Sequence, residues 1–293
     1  MNFNGEYYLA DKEELSLGFK EKVINSLGVY RREKLGISEA GVFRYKGQDL
    51  IKEHILPNDF KAYNIIESYR KSFFASACSQ IDFHRFYHHL NSSQALCINL
   101  FYPLMLENKL SLVLDQLNIP KQAITEATFE KESDIESGSG RKTNFDFYMR
   151  LEDNTRVYFE VKYTESEFGK AKKDDEHRLK FTDTYLPLLK NNDYIKPAYK
   201  SFDSFLDSYQ IMRNLCHIGE RSFVVFVYPK ANKKVHSQAQ SVPDNMLTGM
   251  GQNKFRPLIL ETAIEEVLGQ VKTEKLENHY QEFKTKYLSD CAK

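Results

Sequence analysis

The spacing of apolar residues changes along the chain, and each change marks an element. In "NSSQALCINLFYPLMLENKLSLVLDQL", residues 91–117, Leu96, Leu100 and Leu104 recur at helical intervals. A core helix is predicted there, with Ser92 or Ser93 as its cap. Pro103 is where a kink is expected, because a proline inside a helix removes one hydrogen bond. An earlier helix is predicted from Lys61 to Leu90, where Tyr63, Ile66, Tyr69 and Phe73 keep intervals of three or four. Residues 1–60 show short helical stretches interrupted by glycines and Pro57.

After Pro120 the apolar pattern becomes that of strands. "AITEATFEKES" (123–133), "NFDFYMRL" (144–151) and "RVYFEVKYT" (156–164) are rich in β-branched and aromatic residues. Helical spacing returns in "KSFDSFLDSYQIMRNLCHIG" (200–219), which Gly219 is expected to close. "RSFVVFVYP" (221–229) is an unbroken apolar run stopped by Pro229, as expected of a strand buried on both faces. The tail, 258–288, is predicted helical. The expected fold is a single α/β domain in the order helix, three antiparallel strands, helix, strand. A mainly helical N-terminal extension (1–90) and a helical C-terminal extension (231–293) flank and pack on that core (91–230).

Charge changes the picture in one respect. Lys plus Arg number 41 and Asp plus Glu also 41, so no net basic charge draws the chain to nucleic acid. Any phosphate binding has to come from local patches or from a metal. The N-terminus lacks a basic segment followed by an apolar run, and no apolar run is long enough to span a membrane. A cytoplasmic protein without a membrane partner is expected. Cys78, Cys97, Cys216 and Cys291 are scattered with no zinc-finger spacing, which agrees with reduced thiols.

The two central strands raise the main chemical question, because charges interrupt their alternation. Side chains alternate across a strand, so Asp146, Tyr148 and Arg150 share one face, and Phe145, Phe147 and Met149 the other. In the next strand Tyr158, Glu160 and Lys162 lie opposite Val157, Phe159 and Val161. A three-residue loop, Glu152-Asp153-Asn154 with Asn154 left-handed, sets Phe147 across from Phe159 and Met149 from Val157. It also sets Asp146 directly across from Glu160. A two-residue turn at Asp153-Asn154 would put Asp146 against Val161 and scramble both faces. Opposed carboxylates repel. A divalent cation between them reverses the sign, and Lys162 on the same face could position an attacking water or offset charge on phosphate oxygens. The structural alternative is an exposed hairpin face with three unrelated charges.

Asp146, thirteen residues, then Glu160-Val161-Lys162 resembles the D…ExK signature of the PD-(D/E)xK nuclease superfamily. The superfamily's core has the same order of elements, a restriction-endonuclease-like core. Many members carry a Gln on the second core helix, and "SYQIMRN" supplies Gln210 with Arg213 one turn on. The resemblance covers about the middle half of the chain. "SSQALCINLFYPL", "EVKYTE" and "FVVFVYP" are similar to a bacterial branch described as restriction endonucleases. Phe145 stands where the family name has proline. The resemblance implies that Asp146, Glu160 and the Val161 carbonyl hold Mg²⁺, with Mn²⁺ able to substitute. It also implies that Lys162 is the catalytic lysine and Gln210 a supporting residue. The implied activity is phosphodiester hydrolysis in nucleic acid, DNA above all, as an endonuclease in restriction or defence. Cutting both strands would favour a homodimer. The alternative is a nucleic-acid-binding module with the same fold and no turnover.

Other motifs carry weaker signals. "SGSGRKT" (137–143) is not a Walker loop, since Arg follows its last glycine and a strand comes next. Arg141 and Lys142 could still touch a phosphate backbone. His84 and His88 are one helical turn apart, a metal-binding spacing without an evident third ligand. Glu107, Glu126 and Glu130 are additional carboxylates from which no choice follows. Lys230, Lys233 and Lys234 could steer DNA or keep a loop soluble.

Overall fold

The computed structural model describes residues 17–137 and 140–289. Helix α1 (Phe19–Glu33) is followed by a hairpin of β1 (Gly41–Tyr45) and β2 (Gln48–Lys52), then by α2 (Glu67–Ala75). The N-terminal part is therefore not purely helical. The helix expected over 61–90 is also shorter: α2 ends at Ala75, and a short 3-10 helix (Ala77–Ser79), irregular chain and turns occupy the stretch up to Ser92. Aromatic spacing persists past Ala75, but Phe83 and Phe86 belong to turns that pack on Tyr87 and His89.

Helix α3 (Ser93–Leu106) is the central pillar. Ser92 caps it by accepting from the Ala95 amide at 3.3 Å, and every residue from Gln94 to Leu104 is buried. Burial on all sides explains its lack of a polar face. Phe101 stacks on Phe147 with ring centres 4.3 Å apart and meets Phe159 at 5.0 Å. Helix α4 (Ser111–Gln116) leads into the main sheet.

That sheet contains β3 (Ile124–Glu132), β4 (Asn144–Leu151), β5 (Arg156–Val161), β6 (Ser222–Tyr228) and β7 (Phe255–Ile259), in that spatial order. Strands β3, β4 and β5 are antiparallel neighbours, whereas β6 runs parallel to β5 and β7 parallel to β6. A parallel neighbour cannot be reached by a tight turn. The chain crosses over through α5 (Asp175–Lys180), a π-helical turn (Phe181–Tyr185), α6 (Leu186–Lys190), α7 (Phe202–Asp207) and α8 (Tyr209–Leu215). Helices α9 (Lys233–Met246) and α10 (Gly249–Gln252) connect β6 to β7. Helices α11 (Leu260–Gln270) and α12 (Glu274–Tyr287) close the described chain. The expected helical tail thus begins with a strand, because Phe255–Ile259 pairs along β6 before α11 starts.

Both faces of the sheet are covered. Phe147, Val157, Phe159, Val225 and Val227 join a core with α1, α3, α11 and α12. Tyr148, Tyr158, Val224, Phe226 and Tyr228 join a second core with α7, α8 and α9. This two-sided burial is why β6 carries no charged or amide side chain from Phe223 to Tyr228. The sequence 200–219 forms two helices, because Ser208 (φ −128°, ψ 35°) breaks the run. Gly219 closes neither; Cys216 ends α8.

The β4–β5 hairpin has the register set by the three-residue loop: Phe147 faces Phe159 and Met149 faces Val157. Asn154 has φ 64°, and Leu151 and Thr155 close the loop with a 2.8 Å backbone hydrogen bond. One part of the alternation fails. Phe145 does not share a core with Phe147 and Met149 but packs on Tyr158 and His217, each ring 4.7 Å away. The break lies beside Glu130, the β3 residue opposite Asp146, whose φ is +53°. Cys78, Cys97 and Cys216 are free thiols, and Cys291 lies outside the described residues. Among the described residues no helix is long and apolar enough to cross a membrane.

Candidate active site

A cavity of about 370 Å³ opens where β4 and β5 part, and the side chains of both strand ends line it. The ladder's last pair is Phe147 with Phe159. Beyond it the Val161 amide donates to Asp146 Oδ2 at 2.6 Å. A side-chain carboxylate thereby satisfies a backbone donor that strand pairing has released. Asp146 and Glu160 both line the cavity and each feels the other's charge, but they are not a ladder pair, and the hydrogen bond of Asp146 across the strand end is with Val161.

Glu160 is 5% exposed and fully engaged. Its Oε1 accepts from Lys162 Nζ at 2.9 Å and Gln210 Nε2 at 2.7 Å, and its Oε2 from Asn214 Nδ2 at 3.1 Å. A buried carboxylate is tolerable only with such partners. The break at Ser208 makes the two amides available. It starts α8 afresh, so that Gln210 falls in the first turn and Asn214 one turn later on the same face. Gln210 is anchored at both ends of its own residue: its backbone N–H donates to Gly169 O at 3.0 Å, and its Oε1 accepts from Gly169 N at 3.1 Å. With Nε2 on Glu160, none of the Gln210 side-chain polar atoms lacks a protein partner.

Electrostatics reflect the crowding. Burial, then the charges of Glu160 and Glu130, push the Asp146 carboxyl well above the usual carboxylate range, against the opposing pull of Lys162 and the Val161 N–H. For Lys162 burial favours the neutral amine, but Glu160, Glu165 and Asp146 outweigh it and raise the pKa. Lys162 is therefore an ammonium. Asp146, Glu160 and the Val161 carbonyl on the same wall are the donors a cation could use. Among the described residues no cluster of three or more His, Cys, Asp or Glu side chains is arranged to hold a metal. The two-carboxylate set still fits a hard cation, since Mg²⁺ is commonly held by one or two carboxylates with water and phosphate oxygens completing the shell. The unrelieved repulsion at Asp146 is the charge deficit such an ion would offset.

Of the additional glutamates, Glu130 alone lines this cavity. Gln94 Nε2 donates to its Oε1 at 2.7 Å, Asn144 Nδ2 donates to its Oε2, and His84 Nε2 stands 3.6 Å from Oε2. Glu126 instead pairs with Lys131 at 2.9 Å and Arg150 at 3.2 Å, and Glu107 accepts from the Tyr69 hydroxyl at 3.0 Å. Holding a non-glycine residue in the left-handed region costs on the order of 1–3 kcal/mol. At Glu130 that conformation places the carboxylate among Gln94, Asn144 and His84. Because the segment around His84 and His88 forms turns, the two do not share a helical face, and only His84 reaches the cavity. Arg141, Lys142 and Arg213 line the mouth, with Arg213 Nε donating to Thr143 Oγ1 at 3.0 Å. Lys230, Lys233 and Lys234 line a different cavity with Lys22.

Sequence reasoning missed Asn214 entirely and could not choose Glu130. The one available signal for Asn214 was its position four residues after Gln210. A polar residue at helical spacing from a candidate marks the same face.

The geometry defines a mixed α/β protein with an acidic cleft at the end of its central strands, walled by basic and amide side chains. The chain belongs to the REase-ARP family, described as restriction endonuclease associating with ARP, whose model matches residues 24–288. That membership supports a restriction-endonuclease-like protein. No curated protein and no solved structure matched the chain.

Proposed function

We propose that the protein is a Mg²⁺-dependent nuclease of the PD-(D/E)xK kind that hydrolyses phosphodiester bonds, above all in DNA. The observation that carries this is the Asp146–Glu160 pair, two carboxyl groups kept in one cleft beside Lys162 although their proximity and burial resist the ionisation of Asp146. A purely structural hairpin gains nothing from that arrangement. Family membership supports it, and the order helix α3, strands β3–β5, helix α8, strand β6 agrees with the core such nucleases share.

Asp146, Glu160 and the Val161 carbonyl would hold the ion. A bound Mg²⁺ supplies polarisation of the phosphate and a lower pKa for the attacking water. The chain's own residues do the rest. Lys162, as an ammonium, offsets negative charge on the phosphate oxygens and fixes Glu160. Gln210 and Asn214 hold the Glu160 carboxylate in one orientation, so Gln210 acts by positioning Glu160. Arg141, Lys142 and Arg213 give the backbone of a nucleic acid its contacts at the mouth.

The test is incubation with Mg²⁺ or Mn²⁺ and a panel of DNA and RNA substrates, beside Lys162→Ala. Cleavage by the parent alone is expected. Equal cleavage by both would remove the site from consideration. A second reading, a nucleic-acid-binding module without turnover, draws on Glu160, whose oxygens already have three donors and need no cation. Metal-independent DNA binding with no cleavage would favour it.

A further inference from the structure

The cleft has two flanks, and the reaction proposed above uses only one. Lys162 and Gln210 stand on the β5 and α8 side. Asp146 lies on β4 in the middle. Glu130 and His84 stand on the β3 side. In an in-line displacement the attacking and leaving oxygens lie on opposite sides of phosphorus. If water enters from the Lys162 side, the departing oxygen emerges on the β3 side and requires a proton.

The lining residues there narrow the choice. Guanidinium groups do not give up a proton near neutrality, Lys162 sits on the other flank, and Lys142 lines the cavity next to Arg141 without a carboxylate ion-pair partner among the described residues to orient it. His84 is the one imidazole among the described lining residues. It is held by a built arrangement. Gln94, 1% exposed, accepts from the His84 backbone N–H at 2.8 Å and donates to both Asp82 O at 3.0 Å and Glu130 Oε1 at 2.7 Å. One buried amide thus fixes both members of the pair. His84 Nε2 stands 3.6 Å from Glu130 Oε2, within ion-pair reach, and Nδ1 makes no hydrogen bond among the described residues. A carboxylate on one ring nitrogen commonly orients the other for proton transfer. The backbone at Glu130 supports the same conclusion, since φ +53° is adopted there at a cost.

We propose that His84, oriented by Glu130, is the general acid that protonates the leaving oxygen. The water oxygen bonds to phosphorus as the phosphorus–oxygen bond to the leaving group breaks, its electron pair passing to that oxygen. His84 Nδ1–H gives its proton there, the water's proton passes to solvent, and the imidazole is reprotonated from solvent. Glu130 raises the affinity of His84 for its proton against the opposing effects of burial and Arg141, with Glu160 adding to the rise. The inference rests on the nuclease reading.

The experiment compares the parent, His84→Gln and Glu130→Gln on two DNA duplexes in Mn²⁺, after the cleaved bond has been mapped on unmodified DNA. One duplex is unmodified, and the other carries sulfur in place of the leaving oxygen. A thiolate leaves without a proton, so a missing general acid matters little there. His84→Gln is expected to slow the oxygen substrate by about 100-fold or more and the sulfur substrate by less than about threefold. Equal slowing of both would overturn the proposal and make His84 a phosphate contact. The His84 ring is also titrated by NMR without metal or substrate. Glu130→Gln should shift its midpoint down, and an unchanged midpoint would overturn the pairing whatever the activity. A parent that cleaves neither duplex while the midpoint does shift would sink the nuclease reading and, with it, the acid role, but leave the pair.

Discussion

Asp146 Oδ2 accepts the Val161 amide hydrogen at 2.6 Å, so the first carboxylate of the cleft ends the β4–β5 ladder in place of a strand carbonyl. The same side chain is asked to satisfy a backbone donor and to remain close to two other carboxylates. Stability and chemistry conflict at this point.

That conflict can be measured. Asp146→Asn keeps an oxygen for the Val161 N–H and removes the repulsion from Glu160 and Glu130. The metal-free variant should be more stable by roughly 1 kcal/mol, a rise in Tm of about 1.5–2 °C for a chain of this size, while cleavage is lost. Calorimetry in a chelator checks the first part. A lower Tm would show that the charge was not strained.

Glu160 and Lys162 should behave as one unit. Lys162→Met leaves a buried carboxylate short of its counter-ion and should cost about 3–5 kcal/mol. Adding Glu160→Gln should recover part of that loss, with a coupling of roughly 1–3 kcal/mol across the double-mutant cycle in urea unfolding. Additive losses would mean that Gln210 and Asn214 hold Glu160 unaided.

Asn214→Ala removes the one amide that, among the described residues, donates to Glu160 Oε2. A stability loss of about 1–3 kcal/mol is expected, as for other buried acceptors left without a donor. Nuclease activity should fall with it, because the carboxylate can then swing. Full activity in this variant would place the metal site elsewhere.

Acid should destabilise the fold through buried histidine. His217 is 4% exposed, hydrogen-bonded to Ser133 Oγ at 2.7 Å and Arg213 O at 3.0 Å, and burial lowers its pKa from 6.5 to about 4. Between those values the unfolded chain binds the extra proton. Stability is therefore whole above pH 6.5 and lost as pH falls toward 4, by on the order of 3 kcal/mol. Urea midpoints of the parent and His217→Gln across that window give the test, and parallel curves would exclude the effect.

The hairpin loop offers a check on register. Asn154→Gly should be nearly neutral, whereas Asn154→Ala should cost about 1 kcal/mol, because only the former adopts φ 64° freely. Thermal unfolding of the two variants distinguishes them.

Much of the hairpin could be read from the sequence because local rules agree there. Alternation and the tolerance of Asn for a left-handed turn point to one register. Elements set by tertiary contact were less accessible. Strand β7 is only five residues long and carries Arg256 and Pro257 in its middle, so only its pairing along β6 reveals it. The break at Ser208 is invisible in a pattern whose apolar positions stay in phase on both sides of it. Glu130 could not be separated from Glu126 and Glu107, since all three are ordinary glutamates until Gln94 and Asn144 close around one of them. Phe145 was assigned to the wrong core for a related reason: alternation assumes a regular strand, and the regularity fails opposite Glu130.

The parallel crossover between β5 and β6 also bears on how the protein is made. Asp146 and Glu160 lie on a hairpin that can form early, but Gln210 and Asn214 come some fifty residues later, and Lys162 N–H needs Val227 O at 2.8 Å to fix the end of β5. Contacts that far apart in sequence form late. A chain still on the ribosome would carry both acids yet lack the scaffold that arranges them. For a protein proposed to cut DNA, such an order of assembly keeps unfinished copies harmless to the cell that makes them.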